Sequence, residues 1–370
     1  MKLQLLGGMT AREFLRDYWH KKPLLVRDAI PGFKGLLSPA KMKDLACSEG
    51  VESRLVRGGR HWSLGHGGPF RPADFSKLPR RDWTLLVQSL DHHLASGAEL
   101  IERFTFIPRA RLDDLMVSYA VPGGGVGPHF DSYDVFLLQG MGHRRWRISA
   151  QDDLDLVEGL PLKILKRFEV EEEYLLGPGD MLYLPPKYAH DGVAEDECMT
   201  YSIGFRAPAF QELGEGFLDF LHDELELPGR YADSELALQK HSAEIPKTML
   251  AQIGEELEKV RWDAELVEAF VGRYFSEPKP DVFFRPPARP LGAKAFAARL
   301  AKNGLKLDSK TRLLFSGTQF FVNGEDFGAT GPERRALMQL ADTRALPPAD
   351  YGEALTGLFH DWYTAGWAHV

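Results

Sequence analysis

The chain has 370 residues, more than a usual single domain, so its length predicts two or three domains. Its 44% hydrophobic and 26% charged residues are ordinary for a globular protein, and no stretch approaches the roughly 20 apolar residues of a membrane span. The formal net charge of -8 argues against a general nucleic-acid binder, so we expect no direct DNA binding and favour a basic partner.

The chain contains two cysteines, Cys47 and Cys198. This count excludes a Cys-based zinc site and argues against a disulfide framework. The first residues also lack the apolar run of a secretory signal. We therefore expect the protein to be cytoplasmic.

The first predicted element is an amphipathic helix over residues 10–22. Thr10 is its candidate N-cap, and Glu13 three residues later completes a capping-box pattern. Apolar residues then recur on one face of the helix. Pro23 is expected to end this helix, and a strand is expected to begin at Leu24.

Short strands separated by turns are predicted between about residues 113 and 205. The expected strands cover residues 115–121, 135–138, 146–148, 169–174, 181–184 and 199–205. Turn signals between them include the runs Pro122-Gly123-Gly124-Gly125 and Gly177-Pro178-Gly179-Asp180. Regular short strands with such turns predict an antiparallel barrel or jelly roll.

The pattern becomes helical after Pro208 and then mixed. Helices are predicted over residues 210–226 and 247–275, and a proline-rich linker is predicted over residues 285–290. A small last domain follows, with a hairpin signal at Asn323-Gly324 and helices near residues 293–303, 332–342 and 350–364. This order resembles a winged-helix module.

Two histidines and one aspartate form a candidate metal site. His129 and Asp131 lie two residues apart after the glycine run, and His190 follows about sixty residues later. If the strand there is regular, His129, Asp131 and Tyr133 point to one face, inside the barrel. Two imidazoles and one carboxylate are typical of non-heme Fe(II) oxygenases, although such a set also binds zinc.

A buried cation beside the metal would favour iron, because 2-oxoglutarate binds iron by its oxoacid end and needs a cation for its distal carboxylate. Arg144 is the candidate, since it shares strand parity with Trp146 and Ile148. Ser118 is a candidate hydroxyl donor to the same carboxylate, and Ser202 is a weaker one. The alternative is that the arginines near Arg144 all lie on a solvated surface.

Asp114, Met116 and Ser118 share one face of a predicted strand. Asp114 is a candidate partner for a cationic substrate side chain, with Met116 and Tyr133 packing on its methylenes. A simple surface role for Asp114 is the alternative.

Several runs of residues resemble the JmjC-type ribosomal oxygenases, over roughly residues 10 to 210. The strongest match is Val121-Pro122-Gly123-Gly124-Gly125-Val126-Gly127-Pro128-His129-Phe130-Asp131-Ser132-Tyr133-Asp134-Val135-Phe136. Further matches are Tyr18-Trp19-His20-Lys21-Lys22-Pro23-Leu24-Leu25-Val26-Arg27, Tyr183-Leu184-Pro185-Pro186, His190 and Tyr201-Ser202-Ile203-Gly204-Phe205-Arg206-Ala207-Pro208. The resemblance is greatest to the bacterial ribosomal-protein arginine hydroxylases.

The resemblance implies a mainly β fold with additional helices. A JmjC/cupin jelly roll, also called a double-stranded β-helix, is expected as the catalytic domain over residues 1–207. A helical dimerisation region is expected over residues 208–284 and a winged-helix-like domain over residues 285–370. The protein is thus expected to be a homodimer, and the winged helix is not an argument for DNA binding.

The resemblance also implies an activity and its residues. The expected reaction is Fe(II)- and 2-oxoglutarate-dependent hydroxylation of an arginine in a large-subunit ribosomal protein, the sixteenth. His129, Asp131 and His190 would then bind iron, Arg144, Ser118 and Ser202 would bind 2-oxoglutarate, and Asp114, Met116 and Tyr133 would line the arginine pocket. Open alternatives are a histidyl hydroxylase or lysine demethylase of the same fold, a zinc- or manganese-binding cupin, and a non-enzymatic interaction protein.

Overall fold

The strand-rich region forms two antiparallel sheets in a computed structural model of the protein, which describes residues 1–58, 62–65 and 67–370. Within these residues, one sheet has eight strands in the order β3-β11-β8-β13-β7-β6-β4-β5, and the other has three in the order β10-β9-β12. In chain order the strands are β1 (Lys2–Leu3), β2 (Met9–Thr10), β3 (Leu24–Val26), β4 (Ser53–Arg57), β5 (Ser63–Leu64), β6 (Trp83–Val87), β7 (Leu112–Ala120), β8 (Asp134–Met141), β9 (Arg144–Ser149), β10 (Glu172–Leu176), β11 (Met181–Leu184), β12 (Ala189–Ala194), β13 (Cys198–Phe205), β14 (Leu305–Leu307), β15 (Leu313–Ser316), β16 (Gln319–Val322), β17 (Glu325–Gly328), β18 (Ala345–Leu346) and β19 (Ala368–His369).

In the described residues, the helices lie before β7 and after β13. They are α1 (Ala11–Asp17), α2 (Pro39–Ala46), α3 (Pro72–Ser76), α4 (Leu90–His93), α5 (Ala95–Glu102), α6 (Phe210–Glu224), α7 (Lys247–Leu257), α8 (Ala264–Ser276), α9 (Ala293–Asn303), α10 (Gly331–Thr343) and α11 (Gly352–Ala365). None of the described helices is long and apolar enough to cross a membrane.

The chain divides into two units, each with its own internal packing. The first comprises Met1–Ala207, Lys279–Thr311 and Arg344–Val370, and the second comprises Pro208–Pro278 and Arg312–Thr343. The units therefore interleave along the C-terminal part of the chain. The division into three consecutive domains stays a prediction.

Strand alternation builds the core of the first unit on both faces of the large sheet. On β8, Phe136 and Leu138 join the main hydrophobic cluster, which also contains residues of α1, α2 and α5. Val135 and Leu137 of the same strand join a second cluster with residues of β9, β10 and β11. Successive side chains of a strand point to opposite faces, so β8 is buried on both sides. The second cluster therefore lies between the two sheets, as a jelly roll requires.

The N-terminal helix is shorter than predicted. Thr10 is the N-cap, and its capping box with Glu13 is formed, as the sequence predicts. The helix ends at Asp17 because the backbone leaves the helical region before Pro23, with His20 at a φ of 58°. The predicted strand at Leu24 is β3, which pairs with β11 at the edge of the large sheet.

The long helix predicted over residues 247–275 is two helices, α7 and α8. The side chain of Asp263 accepts a hydrogen bond from the backbone N–H of Leu266 and so caps a new helix start. The hairpin signal is placed as predicted, because Asn323 and Gly324 join β16 to β17 with φ values of 51° and 89°. Two consecutive positive φ angles are the requirement of a two-residue hairpin turn of this type.

Candidate active site

The two histidines of the candidate metal site are direct neighbours across a backbone bridge. His129 and His190 form an isolated antiparallel pair, in which each backbone N–H donates to the other residue's carbonyl, with N–O distances of 2.9 and 2.8 Å. Their ring centroids are 4.2 Å apart. The bridge therefore brings together two imidazoles that are about sixty residues apart in the sequence.

Asp131 completes the cluster, although the segment around it is not a regular strand. β8 begins only at Asp134, so the strand alternation expected for residues 129–133 was wrong. Instead, the backbone N–H of Lys187 donates to the carbonyl of Asp131 over 2.6 Å. The carboxylate then lies 3.6 Å from Nε2 of His190, and one ligand atom from each of the three residues lies within 4.8 Å of the others.

The backbone also fixes which nitrogen of each histidine faces the cluster. Nδ1 of His129 is 2.8 Å from the carbonyl of Gly127, and Nδ1 of His190 is 2.9 Å from the carbonyl of Tyr188. Only a protonated Nδ1 can donate to these carbonyls, which leaves the lone pair on Nε2 for a metal. Burial, assisted by the nearby His129, lowers the pKa of His190 to about 4, so this imidazole is neutral at physiological pH.

These donors fit a divalent transition metal. The set offers two imidazole nitrogens and one carboxylate oxygen on converging side chains, and His190 is almost fully buried. Three protein ligands on one side leave further coordination positions for small molecules, which is the arrangement of non-heme iron oxygenases. The residues therefore suit an ion that binds substrate oxygens directly.

Arg144 supplies a buried cation on β9. Its side chain lies among core residues, and its Nη1 donates to Oγ of Ser118 over 3.2 Å. Within the described residues, its Nε and Nη2 have no hydrogen-bond partner although both atoms are buried. A buried guanidinium with two unsatisfied donors is destabilising unless an acceptor binds to it, so the geometry suits a carboxylate ligand.

Arg145 and Arg147 lie on the opposite face of β9. Arg145 bonds Glu173 and Glu195, and Arg147 bonds Glu173, all at the surface. The alternative that all these arginines are solvated therefore holds for two of them but not for Arg144.

Trp146 lies between Arg144 and the metal cluster. β9 and β12 pair so that Ile148 is opposite His190 and Trp146 is opposite Gly192. The Trp146 ring is 5.9 Å from the His190 ring and 5.7 Å from the Arg144 guanidinium. Glycine is needed opposite the indole, because a Cβ on Gly192 would come within 2.6 Å of it. The cation and the cluster thus lie along one face of the small sheet.

The predicted substrate residues line one cavity of about 190 Å³. Asp114 and Met116 from β7 face it, together with Tyr133 and with Ser202, which is paired opposite Met116. Burial and the neighbouring Asp131 carboxylate raise the pKa of Tyr133, so this residue lies between the cavity and the metal cluster. Ser202 therefore lies beside the candidate substrate residues, and its predicted contact with 2-oxoglutarate stays a prediction.

Asp114 is almost fully buried and is held by two partners. The backbone N–H and hydroxyl of Ser89 donate to its Oδ2 over 3.0 and 3.3 Å, and the Lys279 ammonium lies 3.8 Å from the same oxygen. Burial raises the pKa of Asp114 to about 6, with Lys279 acting in the opposite direction and Asp113 adding to the rise. The alternative that Asp114 is a simple surface acid is wrong.

Sequence reasoning did not identify Ser89, Trp146 or Lys279 as site residues. Ser89 lies at the start of α4 with a φ of 50°, a conformation that the sequence does not reveal. Trp146 shares the parity of Arg144, which is a usable signal. Lys279 lies between Pro278 and Pro280, far in sequence from the other residues of the cavity.

Two segments of the chain match known protein families. Residues 99–213 match the JmjC domain family, and residues 259–369 match the ROXA-like winged helix family. The ribosomal protein uL16 3-hydroxylase of Escherichia coli (strain K12) is 35% identical over 354 residues, which cover 93% of this chain and 91% of that protein. These matches confirm the predicted fold class.

Solved structures agree over almost the full length. The X-ray structure of ycfD from Escherichia coli has a TM-score of 0.85 at 31% identity, and 98% of each chain is covered. A ribosomal oxygenase from Escherichia coli in complex with cobalt and 2-oxoglutarate has a TM-score of 0.83 at 32% identity, with the same coverage.

Replacing Asp131 by alanine is expected to abolish tight binding of Fe(II). The substitution removes the carboxylate of the described ligand set, so the loss should exceed the roughly 10–100-fold that an outer-shell partner is worth. Anaerobic equilibrium dialysis of Fe(II) measures this, with one ion per chain expected for the unchanged protein. Asp196→Ala is the matched control, because Asp196 also pairs with a histidine, His143, but at the surface. Equal Fe(II) binding by Asp131→Ala and Asp196→Ala would contradict the assignment.

Proposed function

The chain belongs to the JmjC-type ribosomal oxygenases, and we propose that it is an Fe(II)- and 2-oxoglutarate-dependent oxygenase that hydroxylates an arginine side chain of a large-subunit ribosomal protein. The observation that carries the proposal is the buried guanidinium of Arg144, which has two unsatisfied nitrogens on the sheet face that also holds His190. A metal-binding cupin without an oxoacid co-substrate has no need of such a group. A zinc- or manganese-binding cupin is therefore a poorer fit to this site than an oxygenase.

Two groups of residues are proposed to bind iron and 2-oxoglutarate. His129, Asp131 and His190 hold the iron, and Arg144 with Ser118 holds the distal carboxylate of 2-oxoglutarate. Bound iron, 2-oxoglutarate and dioxygen together supply the oxidising power that hydroxylates a C–H bond, with release of succinate and carbon dioxide. The binding of cobalt and 2-oxoglutarate by the solved ribosomal oxygenase supports this assignment.

The protein's own residues position the substrate in this proposal. Asp114 binds the guanidinium, while Met116 and Tyr133 pack on the methylenes that lead to it. Since Tyr133 lines this cavity and lies near Asp131, it connects the proposed substrate pocket to the metal ligands. Correct placement of the reacting carbon is the main contribution that a protein makes when the cofactor carries the chemistry.

The proposed substrate is supported by the name of a relative and by the geometry with which a carboxylate pairs with a guanidinium. The uL16 3-hydroxylase that this chain resembles acts, by its name, on the sixteenth large-subunit ribosomal protein, which supports the same target here. Arginine is favoured because a carboxylate accepts a guanidinium through two parallel hydrogen bonds, and an ammonium lacks that geometry. A basic partner also suits the net charge of -8.

We further propose that the protein is a cytoplasmic homodimer that associates through its helical region. In the second unit, Leu250, Ile253 and Leu257 form an exposed apolar stripe on α7, with exposed fractions of 59%, 37% and 59%. Val260, the next apolar residue at helical spacing, lies just beyond the end of the helix. Exposed apolar surface of this kind is typical of protein interfaces.

A peptide of the uL16 segment that contains the target arginine should gain one oxygen atom when incubated with enzyme, Fe(II) and 2-oxoglutarate. Replacing that arginine by lysine is expected to remove most turnover, and Asp114→Ala in the enzyme is expected to do the same while Fe(II) binding stays nearly normal. Mass spectrometry of the peptide measures both results. Wild-type rates for Asp114→Ala would show that the pocket is wrong, and a better histidine peptide would assign the enzyme to the histidine-modifying branch.

Arg144→Ala should weaken the apparent binding of 2-oxoglutarate strongly. Truncating one partner of a buried charge-assisted pair is worth about 2–5 kcal/mol. Succinate formation as a function of 2-oxoglutarate concentration measures the effect. Arg145→Ala is the control, because Arg145 is the next residue on the strand but pairs with Glu173 and Glu195 outside. A larger effect of Arg145→Ala than of Arg144→Ala would show that the distal carboxylate of 2-oxoglutarate binds elsewhere.

Ile253→Glu should convert the proposed dimer into a monomer. The substitution places a charge in the middle of the apolar stripe, where it would be desolvated at an interface. Sedimentation velocity at micromolar concentration measures the mass of the unchanged protein, of Ile253→Glu and of a control variant, Gln252→Glu. Gln252→Glu, on the same helix and exposed, is expected to leave the dimer intact. A monomeric unchanged protein would refute this part of the proposal.

A further inference from the structure

A lysine of the protein itself already lies at the acidic end of the substrate cavity. Nζ of Lys279 is 3.0 Å from a carboxylate oxygen of Asp113 and 3.8 Å from Oδ2 of Asp114. Lys279, Asp113 and Asp114 all line the cavity of about 190 Å³ and all belong to the first unit. The cavity that is proposed to take a cationic side chain therefore contains a cation of its own.

The two oxygens of Asp114 differ in their surroundings. In the part of the chain that the structure describes, Ser89 and Lys279 both contact Oδ2. Oδ1 lies on the side of Gly204, where an added Cβ would be 3.8 Å from it and 3.7 Å from the Tyr133 ring. A guanidinium that pairs through two parallel bonds needs both oxygens, so it meets the Lys279 ammonium at Oδ2.

We propose that Lys279 is a specificity-determining residue, which occupies the cation site of the cavity and must be displaced by the substrate's guanidinium. The inference rests on the proposed function and adds an internal competitor to it. An arginine gains the two-bond pairing with Asp114 when it displaces the ammonium. A lysine side chain replaces one ammonium by another and gains nothing, so Lys279 favours arginine over lysine.

The surroundings of Lys279 suit a side chain that moves while its backbone stays in place. Pro278 and Pro280 flank it, and their rings fix the backbone φ on both sides. Its side chain is 37% exposed, in contrast to 9% for Asp114, so the ammonium has a route to solvent. After displacement it still has Asp113, which is 31% exposed, as a partner at the cavity mouth.

Two substitutions of Lys279 distinguish a competitor from an ordinary structural ion pair. Lys279→Met removes the internal cation, and KM for the arginine peptide is expected to fall about two- to five-fold, the range that a partly exposed ion pair corresponds to. Lys279→Arg places a guanidinium in the site permanently, and KM is expected to rise. For a structural ion pair, Lys279→Arg should behave like the unchanged enzyme and Lys279→Met should bind the peptide no better.

The experiment measures KM and kcat for the arginine peptide with the iron-loaded enzyme. Lys259→Met is the control, because Lys259 is also an exposed lysine paired with an acidic residue, Glu256, on another part of the chain. The order Lys279→Met, unchanged enzyme, Lys279→Arg in rising KM, with Lys259→Met equal to the unchanged enzyme, supports the inference. A KM for Lys279→Met equal to or above that of the unchanged enzyme overturns it.

A binding measurement separates this inference from the proposed function. The dissociation constant of N-acetyl-arginine methylamide is measured by NMR for the same variants, with no turnover required. If the unchanged enzyme hydroxylates no arginine peptide but binding follows the expected order, the proposed function fails and the inference stands. If the peptide is hydroxylated but neither KM nor binding follows that order, the inference fails and the proposed function stands. If neither turnover nor the order of binding is observed, both fail.

Discussion

The backbone bridge between His129 and His190 is the constraint on which the site depends. Two hydrogen bonds between these residues fix the separation of the imidazoles, and two further bonds from the ring Nδ1 atoms fix their orientation. Both sets use backbone carbonyls, so they persist whatever the neighbouring side chains are. The sheets hold the bridge in place because His190 belongs to β12, whose partner β9 carries Arg144. His190 and the buried Arg144 guanidinium are therefore positioned by the same pair of strands.

Burial of the Arg144 guanidinium lowers the stability of the fold and favours the binding of an anion. Two of its nitrogens lack a hydrogen-bond partner among the described residues, and a buried polar group in that state is unfavourable by about 1–3 kcal/mol, with more for a charged group. Ser118 and the Trp146 ring offset only part of this. A dianionic ligand that binds the guanidinium accepts hydrogen bonds from these nitrogens. The group that destabilises the fold therefore also strengthens the binding of the anion.

The sequence predicts the chemistry of the site better than its geometry. Ligand types, the parity that turns Arg144 inward and the turn at Asn323-Gly324 follow from local spacing, which strand and turn geometry determine. The contact of His129 with His190 does not follow from local spacing, because a bridge joins residues about sixty positions apart. The placement of Asp131 does not either, because it lies in an irregular segment where strand alternation fails. The position of Lys279 is still less predictable, since more than 160 residues separate it from Asp114 and only tertiary packing brings them together.

Charge is separated along a single strand of the large sheet. Asp114, Met116 and Ser118 share one face of β7, and Asp114 to Ser118 spans about 13 Å at the usual rise of a strand. The carboxylate at one end suits a cation, and Ser118 at the other end contacts the Arg144 guanidinium, which suits an anion. If Asp114 and Arg144 were adjacent they would neutralise each other, and neither would attract a ligand. Met116 lies between Asp114 and Ser118 on the same face of β7, so one strand presents a site for a cationic group at one end and contacts a site for an anionic group at the other.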